Sequence, residues 1–233
     1  TDNIIKNNTM SVRHWGIYAN NASGTHIYSN NDITKTNNDW FVYVTNAEDV
    51  KIDSNRFIGL GTDNNNRGIY VYNTGADISR NTVVVPGRAL HIENQAGSSV
   101  KNNTLVSTNA GDYGMYITNL STPSLVNNIV DGFQIGIYAE SSVPNYNNTP
   151  IAQNLFNNIV NDNFAGSNLP VLIGNMVDQN ANGYTSDIYG NIMADPQFVD
   201  FENHNYNLLS YSPAINAGES STLDPDGSVS DIG

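Results

Sequence analysis

The stretch Ile52-Asp53-Ser54-Asn55-Arg56-Phe57 decides the fold. It reads apolar, two residues, asparagine, one residue, apolar. The same frame stands at Ile5-Lys6-Asn7-Asn8-Thr9-Met10 and at Ile78-Ser79-Arg80-Asn81-Thr82-Val83. Along the chain it is centred on Asn8, Asn31, Asn55, Asn81, Asn103, Asn128, Asn154, Asn175 and Asn191, at spacings of 23, 24, 26, 22, 25, 26, 21 and 16 residues. Self-similarity at twenty-odd residues marks a repeat architecture.

Each repeat carries a second short segment after the asparagine. Examples are Gly16-Ile17-Tyr18-Ala19, Phe41-Val42-Tyr43-Val44, Gly68-Ile69-Tyr70-Val71 and Gly136-Ile137-Tyr138-Ala139. Apolar residues alternate with tyrosine, the period of a half-buried strand. Two such segments per repeat, with no helical period, predict an all-β solenoid in which each coil pairs only with its neighbours: a parallel β-helix. Nine rungs, about 4.8 Å apart, span roughly 40 Å.

The asparagines have a physical role in this reading. The turn between strands leaves backbone groups to satisfy. Asparagine tolerates left-handed backbone angles and bonds nearby main chain. Its amide both donates and accepts, so asparagines stacked at one turn form an internal ladder.

Aligning the second segments exposes columns. Ile17, Val42, Ile69, Leu90, Met115 and Ile137 point inward. An outward column reads Tyr18, Tyr43, Tyr70, His91, Tyr116, Tyr138; it is flanked by Trp15, Trp40, Arg67, Arg88 and Tyr113 on one side and by Tyr72 and Glu93 on the other. This predicts an exposed aromatic strip with two arginines near its middle. Contiguous exposed apolar surface marks binding. Rings with an apolar face and a polar edge suit pyranose rings, and a row along the axis suits an extended polysaccharide. The expected ligand contacts are Trp15, Tyr18, Trp40, Tyr43, Tyr70, Tyr72, Tyr113, Tyr116 and Tyr138. The column after the ladder asparagines (Thr9, Asp32, Arg56, Thr82, Thr104, Ile129) is too mixed for the flat threonine array of an ice-binding face.

Composition sets outer bounds. The 233 residues are 39% hydrophobic and only 13% charged, with no cysteine and a net charge of −13. All nine Lys and Arg lie in residues 1–101 beside nine Asp and Glu, and residues 102–233 hold thirteen Asp and Glu and no cation. Nothing in that half neutralises phosphates, so nucleic acid is not the expected partner. No apolar run reaches the length of a membrane span. The acidic half carries a candidate calcium loop, Asp224, Asp226 and Asp231 around Gly227, although it lacks the remaining ligands and terminal glutamate of an EF-hand loop; the alternative is a plain Pro-Asp-Gly turn.

From Asp195 the text changes: Asp195-Pro196-Gln197-Phe198-Val199-Asp200, Ser212-Pro213-Ala214-Ile215-Asn216-Ala217-Gly218, Asp231-Ile232-Gly233. This resembles the closing segment of secreted bacterial right-handed parallel β-helix proteins of the pectate-lyase-like superfamily, many of which carry a surface anchor. The resemblance implies a right-handed β-helix over residues 1–194 and a closing segment or cap over 195–233. It also implies a secreted or cell-surface location and flanking domains outside this chain. Lyases of that superfamily abstract a proton beside a carboxylate that a cation or calcium neutralises. The best matching cluster is Arg67, Arg88, His91 and Glu93, the arginines clamping a carboxylate and His91 as base. No lysine accompanies them, and no family catalytic motif aligns residue by residue. A glycoside hydrolase needs two carboxyls roughly 5–10 Å apart; the strip offers only Glu93 and Glu140, two rungs apart. The expected function is therefore a polysaccharide-binding or adhesion module, with a lyase or hydrolase as alternative and a structural stalk as a third.

Overall fold

The computed structural model describes residues 2–94, 96–146 and 149–233. Among them there is no helix. Three parallel sheets form the walls of a solenoid, and each coil contributes one strand to each sheet. The first sheet runs from Asn3–Lys6 through His26–Ser29, Val50–Asp53, Ala76–Ser79, Ala96–Lys101 and Thr122–Val126 to Ile151–Ala152. The third runs from Ile17–Asn20 through Asp39–Thr45, Asn66–Tyr72, Leu90–Glu93, Tyr113–Thr118 and Ile135–Ala139 to Asp162–Gly166. Both are seven strands deep, which gives about six turns rather than the nine rungs expected.

The ladder explains the difference. Asn8, Asn31, Asn55, Asn81, Asn103, Asn128, Asn154 and Asn191 form one unbroken column. Each donates through its backbone N–H and its Nδ2 to the Oδ1 of the asparagine one coil on, as Asn55 does to Asn81 at 3.0 and 2.9 Å. From Asn31 onward the second Nδ2 proton reaches a backbone carbonyl of the preceding coil, Asn81 to Ile52 at 2.8 Å. Asn175 is not a member: it is exposed, and its N–H closes a turn onto Leu172. The chain loops out after Asn168 and returns at Asn191, which stacks directly on Asn154. The buried carboxylate of Asp187 takes the final Asn191 donors and ends the column.

The turn geometry also differs from expectation. The left-handed residue is the one before each ladder asparagine: Asn7, Asn30, Ser54, Arg80, Asn102, Asn127 and Gln153 all have φ between 47 and 58°. The bend is made there, which frees the next side chain to point inward and stack.

The register of the third sheet is the one the columns predicted. Ile17, Val42, Ile69, Leu90, Met115 and Ile137 align inside, and Tyr18, Tyr43, Tyr70, His91, Tyr116 and Tyr138 outside. The glycine opening many of these segments has a steric cause. A side chain at Gly136 would meet the Asn163 carbonyl at 2.6 Å and the Phe156 ring at 2.8 Å.

The second sheet buries apolar side chains on both faces. Phe57, Val83, Leu105 and Val130 fill the solenoid core, while Ile58, Val84, Val106, Ile129 and Leu155 face outward and are also buried. Residues 195–233 cover that outer face. A hairpin, Phe198–Asp200 with Asn205–Leu208, lays Tyr206 on Ile58, Val84 and Val106. Ala214, Ala217 and Ile232 lie on Ile129, Leu155 and Ile192. The closing segment is thus a strap along the flank of the helix.

Candidate functional site

The outward column of the third sheet is a continuous row of rings. Centroids are 5.3 Å apart from Tyr18 to Tyr43, then 4.8 Å to Tyr70, 4.8 Å to His91, 4.9 Å to Tyr116 and 5.4 Å to Tyr138. These spacings follow the strand spacing, so register dictates them. Tyr18 and Tyr43 stack almost parallel, at 5°. Tyr43 stacks on Tyr18 and Tyr70, and Tyr116 on Tyr138, whereas His91 meets Tyr70 and Tyr116 edge to face. The most exposed rings of the strip are Tyr18, at 57%, and Trp15, at 39%. The remaining tyrosines of the row, with Tyr72 and Tyr113, are half-buried.

Trp40 corrects the expectation of a ligand contact. It is 6% exposed, packed on Tyr70 and His91 with the Arg67 guanidinium 5.5 Å from its ring. It supports the strip from beneath.

The centre of the strip is a hydrogen-bonded knot. Arg88 Nη1 donates to His91 Nδ1 at 3.1 Å. Arginine has no acceptor, so Nδ1 carries the lone pair and Nε2 the proton, which goes to Thr118 Oγ1 at 3.1 Å. Burial, then Arg88 and Arg67, push the imidazole down to about 3. His91 is therefore neutral at ordinary pH with both nitrogens engaged. A base needs a free lone pair, and this one is occupied by Arg88. Glu93 does not pair with either arginine. Its Oε2 accepts from the Tyr70 hydroxyl at 2.8 Å and its Oε1 from Asn119 Nδ2 at 2.7 Å. Burial and then this bond raise the Tyr70 phenol strongly. Two coils on, the Tyr116 hydroxyl points to Glu140 at 3.5 Å.

The arginines lie on rings instead of carboxylates. Arg88 stands 3.8 Å from the Tyr116 centroid and 5.2 Å from Tyr113. Arg67 bonds the Asn65 side chain. Neither is within ion-pair distance of an acid among the described residues. Burial first, then Arg67, lowers the Arg88 pKa. The arrangement presents tyrosine hydroxyls, glutamates and two guanidiniums without direct counter-ions to one stretch of surface.

Fold and face can now be set beside known proteins. The family model for the right-handed β-helix region matches residues 15–193. The chain belongs to that family. No curated protein and no solved structure matches it.

Elsewhere in this β-helix, Lys35 escaped sequence reading. It is fully buried at the corner between the second and third sheets. Its Nζ donates to the carbonyls of Asp39 and Arg67 and lies 4.4 Å from the Phe41 ring. Burial drives its pKa down to about 7, Asp39 opposing and Arg67 assisting. The one signal was its place in the frame, two residues past the apolar Ile33, where Gly59 stands one coil on. In the acidic half, Asp224 and Asp226 are near enough to Asp231 to reinforce the upward shift that its burial causes. Asp226 Oδ1 is taken by the Ser228 N–H and hydroxyl, and Asp231 Oδ1 by the Asn216 N–H. Among the described residues no three acidic, histidine or cysteine side chains are grouped to hold a metal ion. No helix there is long and apolar enough to cross a membrane.

Proposed function

We propose that this β-helix acts outside the cell and engages polysaccharide along the third-sheet strip, as a binding or adhesion module. The observation that carries the reading is the unbroken ring row, with two guanidiniums at its middle that have no ion-pair partner among the described residues. Trp15 and Tyr18, the most exposed rings of the strip, supply aromatic surface to stack on a sugar. The inner part supplies hydroxyl and carboxylate edges to a chain lying along the axis. The arginines favour a glycan that carries carboxylates.

A lyase acting through His91 would need to break the Arg88 bond to recover a lone pair, so binding without turnover is the better-supported reading. The experiment is affinity electrophoresis through gels containing acidic or neutral polysaccharides, with and without calcium, alongside ultraviolet detection of unsaturated products. Replacing Trp15 and Tyr18 by alanine is expected to weaken retention by at least about fivefold, the loss of roughly 1 kcal/mol typical of an aromatic contact. Unchanged retention would sink the strip as a binding face. Unsaturated product that disappears in Arg88→Ala would replace the module with an enzyme.

A further inference from the structure

The strap creates a second surface, on the flank away from the ring strip. Between it and the outer face of the second sheet lies a cleft of about 710 Å³. Its floor is one outward column, Arg56, Thr82, Thr104 and Ile129, on four successive strands in register. Three strand steps make the floor roughly 14 Å long. One wall is the hairpin strand Asn205–Leu208, held down by Tyr206. The opposite wall is Arg80 and Asn102, with Asp231 bonded to the latter through its carbonyl at 3.0 Å. Gly233, packed on Ile129, closes the far end.

The chemistry of the lining selects the ligand. Its two arginines are already neutralised, Arg56 by Asp32 at 3.0 Å and Arg80 by Asp53 at 2.6 Å. Asp231 adds a negative charge, so a polyanion gains no unpaired cation here. Of the apolar members, Ile129, Tyr206 and Leu208 are spent in the packing of the strap, and Ile215 is half-buried at the lining. What remains is a set of polar donors and acceptors with capacity to spare: the Thr82 hydroxyl and the largely buried Thr104 hydroxyl, the Nε2 of His204, whose Nδ1 meets Tyr206, the Asn205 Nδ2 and Asn207 Oδ1 left over from the Asn207–Asn205 bond, and the N–H groups that Arg56 does not give to Asp32. Two hydroxyls one strand step apart on a straight floor, between walls that carry amides, match hydroxyl-bearing rings laid along the axis.

We infer that this cleft is a binding site for a short, neutral oligosaccharide, separate from the strip. The two sites differ in charge logic. Guanidiniums at the strip lack counter-ions, and those in the cleft have them.

The test uses the full chain and methyl-resolved nuclear magnetic resonance, titrating cellohexaose, xylohexaose, mannohexaose and a hexagalacturonate. At least one neutral hexasaccharide is expected to shift the Thr82 and Thr104 methyl signals, with little response to the galacturonate. Thr82→Val with Thr104→Val keeps the shape, removes two hydroxyls and is expected to weaken that binding about tenfold, as two modest hydrogen bonds would. Asn205→Ala, on the hairpin wall, serves if the double variant does not fold. Trp15→Ala with Tyr18→Ala is expected to leave cleft binding unchanged, so failure at the strip and failure at the cleft are told apart. The inference is overturned if no neutral hexasaccharide perturbs the cleft, if the wall and floor variants bind as the parent does, if only the acidic sugar binds there, or if the strip variant abolishes the effect.

Discussion

Two buried bases, His91 and Lys35, show how far a side chain's surroundings depart from its sequence neighbourhood. Burial holds His91 neutral at ordinary pH and lets Lys35 lose its proton near pH 7, and each leaves a mark on stability. His91 falls to about 3 in the fold, from 6.5 when free. Between those values the unfolded chain binds the extra proton, so stability is lost as pH falls from about 6.5 to 3. His91→Tyr, which restores the column's usual residue, should flatten that part of the pH–stability profile by up to about 5 kcal/mol, measured by urea unfolding at several pH values. Lys35 falls to about 7 from 10.5. Between these the unfolded chain again holds the proton, so stability should rise from pH 7 toward 10. Lys35→Met should remove the rise and stabilise the protein at pH 6. A profile that still rises in the variant would show that the ammonium is hydrated in the fold. The column position of His91 was legible from the alignment of tyrosines. Its lost basicity was not, because burial and the Thr118 bond come from the next coil, and alternation does not say that Arg88, three residues back, turns onto Nδ1 rather than onto a ligand.

At the scale of the element, the ladder is the feature most readable in advance, because its period is local and its flanks are apolar. Asn81 shows what it does. Removing its side chain strands two donors, the backbone N–H and Nδ2 of Asn55, and frees the acceptors on Asn103 and Ile52. Asn81→Ala should cost about 2–6 kcal/mol, on the order of 1–3 per stranded group. Asn81→Asp should also be strongly destabilising, because a carboxylate accepts from Asn55 but offers nothing to the Asn103 oxygen. Chemical denaturation checks both, and an aspartate variant as stable as the parent would refute the polarity of the column. The ladder was over-read at Asn175. A frame of three residues cannot tell a stacked asparagine from one in a turn, since the difference lies in whether a neighbouring coil is there to meet it. The strip was over-read at Trp40 for a related reason: alternation assigns a side to each residue but does not say what covers it.

On the scale of the whole molecule, the strap is as much a part of the fold as the coils. It covers Ile58, Val84 and Val106, which would otherwise form an exposed apolar stripe. Ile232→Asp sets a carboxylate among Ile129, Leu155 and Ile192. It is expected to release the C-terminal segment while the solenoid persists, seen as rapid proteolysis after residue 195 with unchanged far-ultraviolet dichroism and increased binding of a hydrophobic dye. Resistance of that segment to protease would mean that the strap is held by its hydrogen bonds alone. The signal for a doubly covered sheet was in the text, where Thr82-Val83-Val84-Val85 runs apolar without alternation, but what covers it was not. The sequence by itself determined the coil, the register and the ring row, because each follows from a repeat that meets its own copy about one strand spacing away. Only the tertiary structure decided the turn count, the engaged state of His91, the burial of Trp40 and Lys35, and the cleft under the strap. Those depend on contacts between residues of unlike spacing, such as Asn102 with Asp231, which no period encodes.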